Sequence, residues 1–405
     1  MWSPKEMTSK SQMPPLNGLT TIELFCGIGG FRLAADRLGL KTLFANDLNA
    51  LSCDVYRDNF GHGEIHEGDI HDIIDTIPSH DLLTGGFPCQ PFSAAGKKEG
   101  IRDPRGTLFQ TIVDVITNAK PEYFILENVK RLLTMEQGRH FATILSALSE
   151  LNYWIEWRLL NARDFGLAQN RERVLICGRR SPFPHQTNDC SSAIRLADPQ
   201  EFSGVRSGHR HMVSRHDLWK QIESHGLKFP NWGMAYLGRF VSLDLENRPA
   251  AAPTVLLTDV LETSPPPEYD LTEKTLPRLS SNTPVNRFVQ GVEVVSNQGG
   301  GARMGYTIFG INGLAPTLTA STSRHYERYK IGESYRRLTP IEYARLQGFP
   351  ETHCRAASPY DQYSLLGNAV PPPLVEWVMQ RWLTDEAAWT ATNNLNELQR
   401  ELFHA

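Results

Sequence analysis

Glu23-Leu24-Phe25-Cys26-Gly27-Ile28-Gly29-Gly30-Phe31 decides the fold. The apolar run 19–25 leads into it and the amphipathic stretch 30–38 leads out, so the glycines sit where a strand gives way to a helix. Glycine lets a backbone turn sharply at such a point and approach a ligand closely. The order Gly27-x-Gly29-Gly30 departs from G-x-G-x-x-G, because Arg32 stands in the third glycine's place, which disfavours a pyrophosphate cradle. Asp47 follows at the end of a second apolar run, 41–46, where a carboxylate can accept both hydroxyls of a ribose. Gly68-Asp69-Ile70 closes the next unit, and Asp69 can receive an adenine amino group there. A nucleoside without phosphates suits this set, S-adenosylmethionine foremost. Taken alone, the glycine cluster also reads as a plain tight turn.

Outward from this point, strands at 81–85, 122–127 and 173–178 alternate with helices at 50–59, 108–118 and 139–151. That alternation predicts an α/β fold with a doubly wound, mostly parallel sheet. At Ser181-Pro182-Phe183-Pro184 the character changes, and to about residue 328 the chain is irregular and rich in Gly, Pro, Ser and Asn. Periodicity returns with a short helix at 339–346, N-capped by Thr339 with Pro340 in its first position, and with a helix at 374–383. The expected division is a disordered tail (1–16), the first part of the sheet domain (17–180), a smaller irregular domain (181–328) and a return to the sheet domain (329–405).

Composition narrows the class. The formal net charge is −4, so any nucleic-acid contact must come from a local basic surface rather than from the total. No run of eighteen apolar residues suggests a membrane span, and the polar, proline-bearing N-terminus does not read as a signal peptide. Six cysteines, at 26, 53, 89, 177, 190 and 354, include no C-x-x-C pair, which fits a reducing cytoplasm and argues against a zinc cluster.

Free cysteines are mostly small buried hydrophobes. Cys89 differs: in Gly85-Gly86-Phe87-Pro88-Cys89-Gln90-Pro91-Phe92-Ser93 it follows a strand end directly, between two prolines that stiffen the backbone. A second strand, 122–127, ends in the carboxylate of Glu127, which partial desolvation lets keep its proton near neutral pH. Gln169-Asn170-Arg171-Glu172-Arg173 places two guanidinium groups just before a third, and alternation would point both from one face. A thiol, a carboxylic acid, an arginine pair and a methyl donor suit methylation of cytosine at carbon 5. That carbon is a poor nucleophile until thiolate attack at carbon 6 makes an enamine. Glu127 would serve ring nitrogen 3, and an arginine the carbonyl oxygen. A base inside a duplex must first leave the stack, at a cost of a few kcal/mol.

The sequence resembles the DNA (cytosine-5)-methyltransferase family. The resemblance rests on Phe25 to Phe31, Asn46-Asp47, Gly68 to Ile70, Phe87 to Ser93, Arg105-Gly106-Thr107-Leu108-Phe109, Glu127 to Val129, Gln169 to Arg173, Arg337 to Pro350 and Gly367 to Pro371, in family order. It implies Cys89 as nucleophile and Glu127 as the nitrogen-3 partner. Arg171 and Arg173 would belong to the base pocket, with Arg173 as donor to the carbonyl oxygen. Phe25, Gly27, Ile28, Gly30, Asp47, Leu48, Asp69, Ile70, Pro88 and Leu108 would line the S-adenosylmethionine pocket, completed by Asn368 and Val370 from the far C-terminus. S-adenosylhomocysteine would be the product, and no metal would take part.

The same resemblance assigns target recognition to the variable segment 181–328. Residues 205–216 lack any acidic side chain and suit phosphate contact, with a solvated basic face as the other reading and metal binding disfavoured. Ser296-Asn297-Gln298-Gly299-Gly300-Gly301-Ala302-Arg303 reads as a recognition loop or as a mobile surface loop. In the first case Arg303 would read a guanine edge and Gln298 would fill the gap left by the displaced base. Gln90, Ser93, Thr317 and Thr319 complete the expected DNA contacts. The expected partner is double-stranded DNA, with a restriction endonuclease as companion and the enzyme acting as a monomer in a prokaryotic or phage-infected cytoplasm, at the nucleoid. An RNA cytosine methyltransferase and an inactive DNA-binding relative are the alternatives.

Overall fold

A computed structural model describes residues 16, 18–88, 108–180, 194–212, 224–236, 239–246, 249, 252–272, 276, 282–297, 307–320 and 327–384. In chain order the elements are Thr20–Leu24 (β1), Gly30–Arg37 (α1), Lys41–Asp47 (β2), Ala50–Phe60 (α2), Ile65–Glu67 (β3), Ile70–Ile73 (α3), Leu82–Gly86 (β4), Leu108–Ala119 (α4), Tyr123–Val129 (β5), Arg139–Glu150 (α5), Tyr153–Asn161 (β6) and Glu172–Arg180 (β7). There follow Val205–Met212 (β8), Trp232–Tyr236 (β9), Arg239–Leu245 (β10), Thr283–Val289 (β11), Val292–Asn297 (β12), Thr307–Phe309 (β13), Arg328–Ile331 (β14), Ser334–Arg336 (β15), Pro340–Gln347 (α6), Pro359–Asn368 (α7) and Pro372–Leu383 (α8).

One sheet runs β3-β2-β1-β4-β5-β7-β6-β9-β10-β8. Strands β1 to β5 pair in parallel, while β7 lies antiparallel to both β5 and β6. The chain leaves β1 toward β2 on one side and returns to β4 on the other, so the gap above β1 and β4 is the topological switch point where such sheets bind ligands. Parallel strands covered on both faces need continuous apolar runs, and Phe124, Ile125 and Leu126 of β5 are fully buried. Each such side chain contributes about 1.5–3 kcal/mol by leaving water. One face packs Leu83, Phe124 and Leu126 against Phe109 and Ile112 of α4 and Phe141 and Leu145 of α5. On the other, Leu374, Val378 and Trp382 of α8 pack with Phe31 and Ala35 of α1, bringing the C-terminus back to the first helix.

The second sheet, β11-β12-β13-β14-β15, shares a core with α6 and α7 through Val292, Phe309, Tyr329, Leu338, Tyr343 and Tyr363. Helix α6 starts as its sequence indicates. The Thr339 hydroxyl accepts from the Glu342 amide, and the Glu342 carboxylate accepts from the Thr339 amide at 2.8 Å.

The expected boundary at 181 differs from the observed pairing. Strands β9, β10 and β8 continue the large sheet beyond β6, since β9 pairs with β6 and β10 bridges β9 and β8. Strand β6 went unread because Tyr-Trp-Ile-Glu-Trp-Arg-Leu-Leu-Asn mixes charges into an apolar run. Those charges are compensated inside. Glu156 accepts from the amides of Arg195 and Leu196 and from the Trp232 indole, and Arg158 pairs with Glu201. Burial still pushes the Glu156 carboxyl up to about 7.

Candidate active site

Four strand ends and one returning loop converge above β1 and β4. Phe25, at the end of β1, has φ 55°, a left-handed conformation that costs a non-glycine residue about 1 kcal/mol. It aims the chain into the turn Gly27-Ile28-Gly29. A Cβ on Gly30 would lie 2.5 Å from the carbonyl oxygen of Val370, so that glycine is what lets the C-terminal loop close over the turn. From the segment between α6 and α7, His353 donates its Nε2 proton to the Ile28 carbonyl at 2.7 Å. The ring lies edge-on to Phe60 and against Phe349, with Asn59 donating to the His353 carbonyl. Burial lowers the pKa of His353 to about 4, the bond to Ile28 opposing the fall. Beneath the turn Glu23 is buried, which pushes its carboxyl up to about 8 against the pull of the Phe31 amide.

The space in front of this turn is open. Among the described residues a Cβ on Gly27 (φ 53°) or Gly68 (φ 144°) would meet no atom within 4 Å, and Leu48, next to Asp47 in the chain, is 72% exposed. Asp47 holds the floor: Oδ2 accepts from the Gly27 amide and Oδ1 from the Asn49 amide, each at 2.8 Å. Each oxygen retains a lone pair for a ligand hydroxyl. Asp69 is exposed at the head of α3, with Ile70 buried behind it. Pro88 and Leu108 are the described residues on either side of 89–107, Pro88 exposed and Leu108 half-buried, and Asn368 is exposed at the end of α7. Two carboxylates, an apolar edge and glycine backbone, without a basic side chain among these residues, fit a nucleoside lacking phosphates.

The acid–arginine set lies one strand over. Glu127 sits opposite Gly86 in the β4–β5 register, and Arg173 opposite Val129 in the β5–β7 register. Arg173 Nε meets Glu127 Oε1 at 2.6 Å, so Glu127 is half of an ion pair rather than the lone protonated acid expected from sequence. Asn128, between them in the chain and 2% exposed, donates to the Phe87 carbonyl at 2.9 Å and anchors the segment entering residue 89. Its signal was a polar residue one step past an otherwise apolar strand. Cys89, Gln90, Ser93, Gln298 and Arg303 lie outside the described residues.

Arg171 departs from its expected place in the base pocket. It is fully buried, and its guanidinium donates to the carbonyls of Leu318, Gly367 and Ala369 at 2.8–2.9 Å. Burial and then the charge of Arg173 lower its pKa, with Glu127 opposing. Arg171 precedes β7 rather than belonging to it, so strand alternation does not align it with Arg173. Gln169, equally buried, joins the same junction: it donates to the Leu346 carbonyl and accepts from the Leu318 amide, both at 3.0 Å. These two residues tie β7 to the second sheet's return segment and to the loop bearing Asn368 and Val370. Thr317 also turns inward, donating its hydroxyl to the Asn170 carbonyl at 2.6 Å, so that proton is not directed at a phosphate. The carbonyl of Thr319 lies where a Cβ on Gly367 would come within 2.3 Å, so that residue packs against the returning loop. Of the basic run at 205–216, residues 205–212 form the outermost strand of the large sheet, four strands beyond β7. Among the described residues, no group of three or more His, Cys, Asp or Glu could hold a metal.

The parallel strands with a switch-point crevice and an acid–arginine pair at the neighbouring strand ends define a Rossmann-like α/β enzyme domain carrying a second, smaller domain. Solved structures share the architecture: the Schizosaccharomyces pombe Dnmt2 methyltransferase matches with a TM-score of 0.57 and 19% identity over 90% of this chain and 98% of that one. The Entamoeba histolytica methyltransferase EhMeth matches with a TM-score of 0.56 and 16% identity over 92% and 99%. The family model described as C-5 cytosine-specific DNA methylase matches residues 19–383. Type II methyltransferase M1.ScrFI of Lactococcus lactis subsp. cremoris is 32% identical over 370 residues, 89% of this chain and 77% of that protein. M.HhaI of Haemophilus parahaemolyticus is 29% identical over 90% of this chain and 94% of its own length. The chain belongs to the C-5 cytosine-specific DNA methylase family and is thus a DNA (cytosine-5)-methyltransferase.

Proposed function

We propose that the enzyme methylates carbon 5 of a cytosine turned out of double-stranded DNA, through a transient covalent bond to Cys89. The observation that carries this reading is the adjacency of three strand ends. β4 leads through Pro88 to the cysteine, β5 presents Glu127, and β7 presents Arg173 paired with it at 2.6 Å. All three adjoin the crevice whose carboxylates and glycines fit S-adenosylmethionine. When bound there, S-adenosylmethionine supplies an electrophilic methyl group and leaves as S-adenosylhomocysteine.

The Cys89 thiolate adds to carbon 6 of the cytosine, and the displaced electron pair makes carbon 5 nucleophilic. The Glu127 carboxyl, protonated from solvent once Arg173 releases it, donates to ring nitrogen 3, stabilises the adduct and takes the proton back when the carbon–sulfur bond breaks. Arg173, released from its ion pair, donates to the carbonyl oxygen and fixes the ring's orientation. Once carbon 5 is methylated, its proton is lost to a base, the carbon–sulfur bond breaks, and the 5,6 double bond and the thiolate are restored. Asn128 holds the Phe87 carbonyl, so the approach to Cys89 is fixed relative to Glu127. The second sheet and the segment 298–306 would supply sequence readout, with Gln298 and Arg303 as its candidates and Gln90 and Ser93 as contacts beside the nucleophile. The Type II names of the relatives support a companion restriction endonuclease of matching specificity.

Cys89→Ser tests the reading. It is expected to abolish transfer of labelled methyl to mixed-sequence duplex DNA while retaining wild-type melting and S-adenosylhomocysteine binding. Full activity in that variant would overturn it, as would preference for structured RNA over duplex DNA in a competition assay.

A further inference from the structure

His71, the second residue beyond Asp69, completes an arrangement that the reaction does not explain. Asp69 Oδ1 accepts twice from His71, from the backbone amide at 3.0 Å and from ring Nδ1 at 2.7 Å. On its other side the ring meets Thr111 Oγ1 at 2.9 Å through Nε2. A carboxylate can only accept, so Nδ1 carries the proton toward Asp69, and in the neutral ring Nε2 accepts from the threonine hydroxyl. Thr111 is buried on α4 and directs its hydroxyl to a residue forty positions away. Its neighbour Thr117 shows the ordinary alternative, bonding back to the Val113 carbonyl of its own helix at 2.7 Å.

We infer that His71 is a positioning residue for cofactor recognition: it holds the Asp69 carboxylate so that Oδ2 faces the crevice as an acceptor for the exocyclic amino group of adenine. Among the described residues both bonds from His71 fall on Oδ1, which leaves Oδ2 for a ligand. His71's amide and then its ring lower the pKa of Asp69, keeping the carboxylate an acceptor. Thr111 fixes the ring from α4, the helix that opens with Leu108 and continues from the segment containing Cys89. The adenine end of the crevice and the start of α4 are thereby one hydrogen-bonded unit. This inference rests on the adenosyl reading of the crevice proposed above.

Calorimetric titration with S-adenosylhomocysteine and with its deaminated counterpart, S-inosylhomocysteine, separates the two. The inosyl base presents a carbonyl where adenine presents an amine, so a carboxylate acceptor rejects it. Wild type is expected to prefer the adenosyl ligand, and Asp69→Ala to lose both affinity and preference. His71→Ala should weaken adenosyl binding about 5- to 10-fold and narrow the preference, the scale of one ordinary hydrogen bond at an exposed carboxylate. His71→Asn, which keeps a short N–H donor, should recover part of both, and Thr111→Val should move both in the same direction by less. Unchanged preference in His71→Ala while Asp69→Ala loses it would overturn the positioning role alone. Unchanged binding in Asp69→Ala would overturn the adenosyl reading and the inference with it. Melting of each variant without ligand controls for folding.

Discussion

Strands β5 and β11 are both seven residues long and live in opposite surroundings. Tyr123, Phe124, Ile125 and Leu126 of β5 are at most 5% exposed, clamped between β4 and β7, and the functional side chain comes at the strand's end. In β11 only Val285 is half-buried; the rest is exposed, with Phe288 at 58% and Val289 at 45%, on the open edge of its sheet. Packing inside the chain therefore accounts for the residues of β5 and not for those of β11. Among the described residues no strand pairs with this edge, which leaves the exposed apolar pair beside Arg287 available to a partner. We propose that the DNA duplex is that partner. On that reading, rigid positioning of reacting groups belongs to the first sheet and adaptable contact to the second, and the buried junction of Gln169 and Arg171 joins them.

The largest effect should come from that junction. Arg171→Met removes one cation but strands the buried Leu318 and Gly367 carbonyls and leaves that of Ala369 only a 3.5 Å contact from Gln347, and is expected to cost about 3 kcal/mol or more. Denaturant unfolding should show it as a lowered midpoint, with cofactor binding and DNA binding impaired together. Loss of one without the other would mean the two sheets are not coupled through β7.

A smaller effect follows from His353, which pins the turn of the first sheet from the α6–α7 connection. Its folded pKa, about 4, lies below the usual 6.5, so the unfolded chain binds this proton more readily. Stability should therefore be complete above about pH 6.5 and fall as pH drops toward 4, by about 3 kcal/mol at most. His353→Gln keeps a donor for the Ile28 carbonyl and removes the titration. Chemical denaturation from pH 4 to 7 should show a flatter acid limb in that variant; an identical limb would remove His353 from the account.

Smallest in stability is Arg287→Ala on β11. Melting should change by less than about 0.5 kcal/mol, as for exposed positions generally. DNA affinity should weaken evenly across sequences, and the salt dependence should lose about one unit of slope. Unchanged DNA binding would take β11 out of the interface.

The same contrast explains what could be read from sequence. β5 and α1 were legible because burial on one or both faces imposes a period on the residues, and the same pattern located Asp47, Asp69, Glu127 and Arg173 at the ends of strands. β8 to β10 were not legible, because they join the large sheet through pairings set by distant strands rather than by their own pattern. His71, Asn128 and His353 were missed for a related reason. Each acts through a hydrogen bond to a residue 40 or more positions away, and only folding brings the partners together. Arg171 was legible as important but not in its role, since a guanidinium beside a site looks the same in sequence whether it holds a base or three carbonyls.

The central claim is that the Cys89 thiol bonds to carbon 6 of the target base. A duplex carrying 5-fluorocytosine in the recognition sequence, found by bisulfite sequencing of DNA from cells expressing the enzyme, tests it directly. Fluorine cannot leave carbon 5 as a proton does, so the adduct has no exit. The account predicts a complex with S-adenosylmethionine that survives denaturing electrophoresis, maps to Cys89 by peptide mass and disappears in Cys89→Ser. A wild-type enzyme that methylates the normal duplex yet forms no such complex, or forms it equally without Cys89, would contradict the claim.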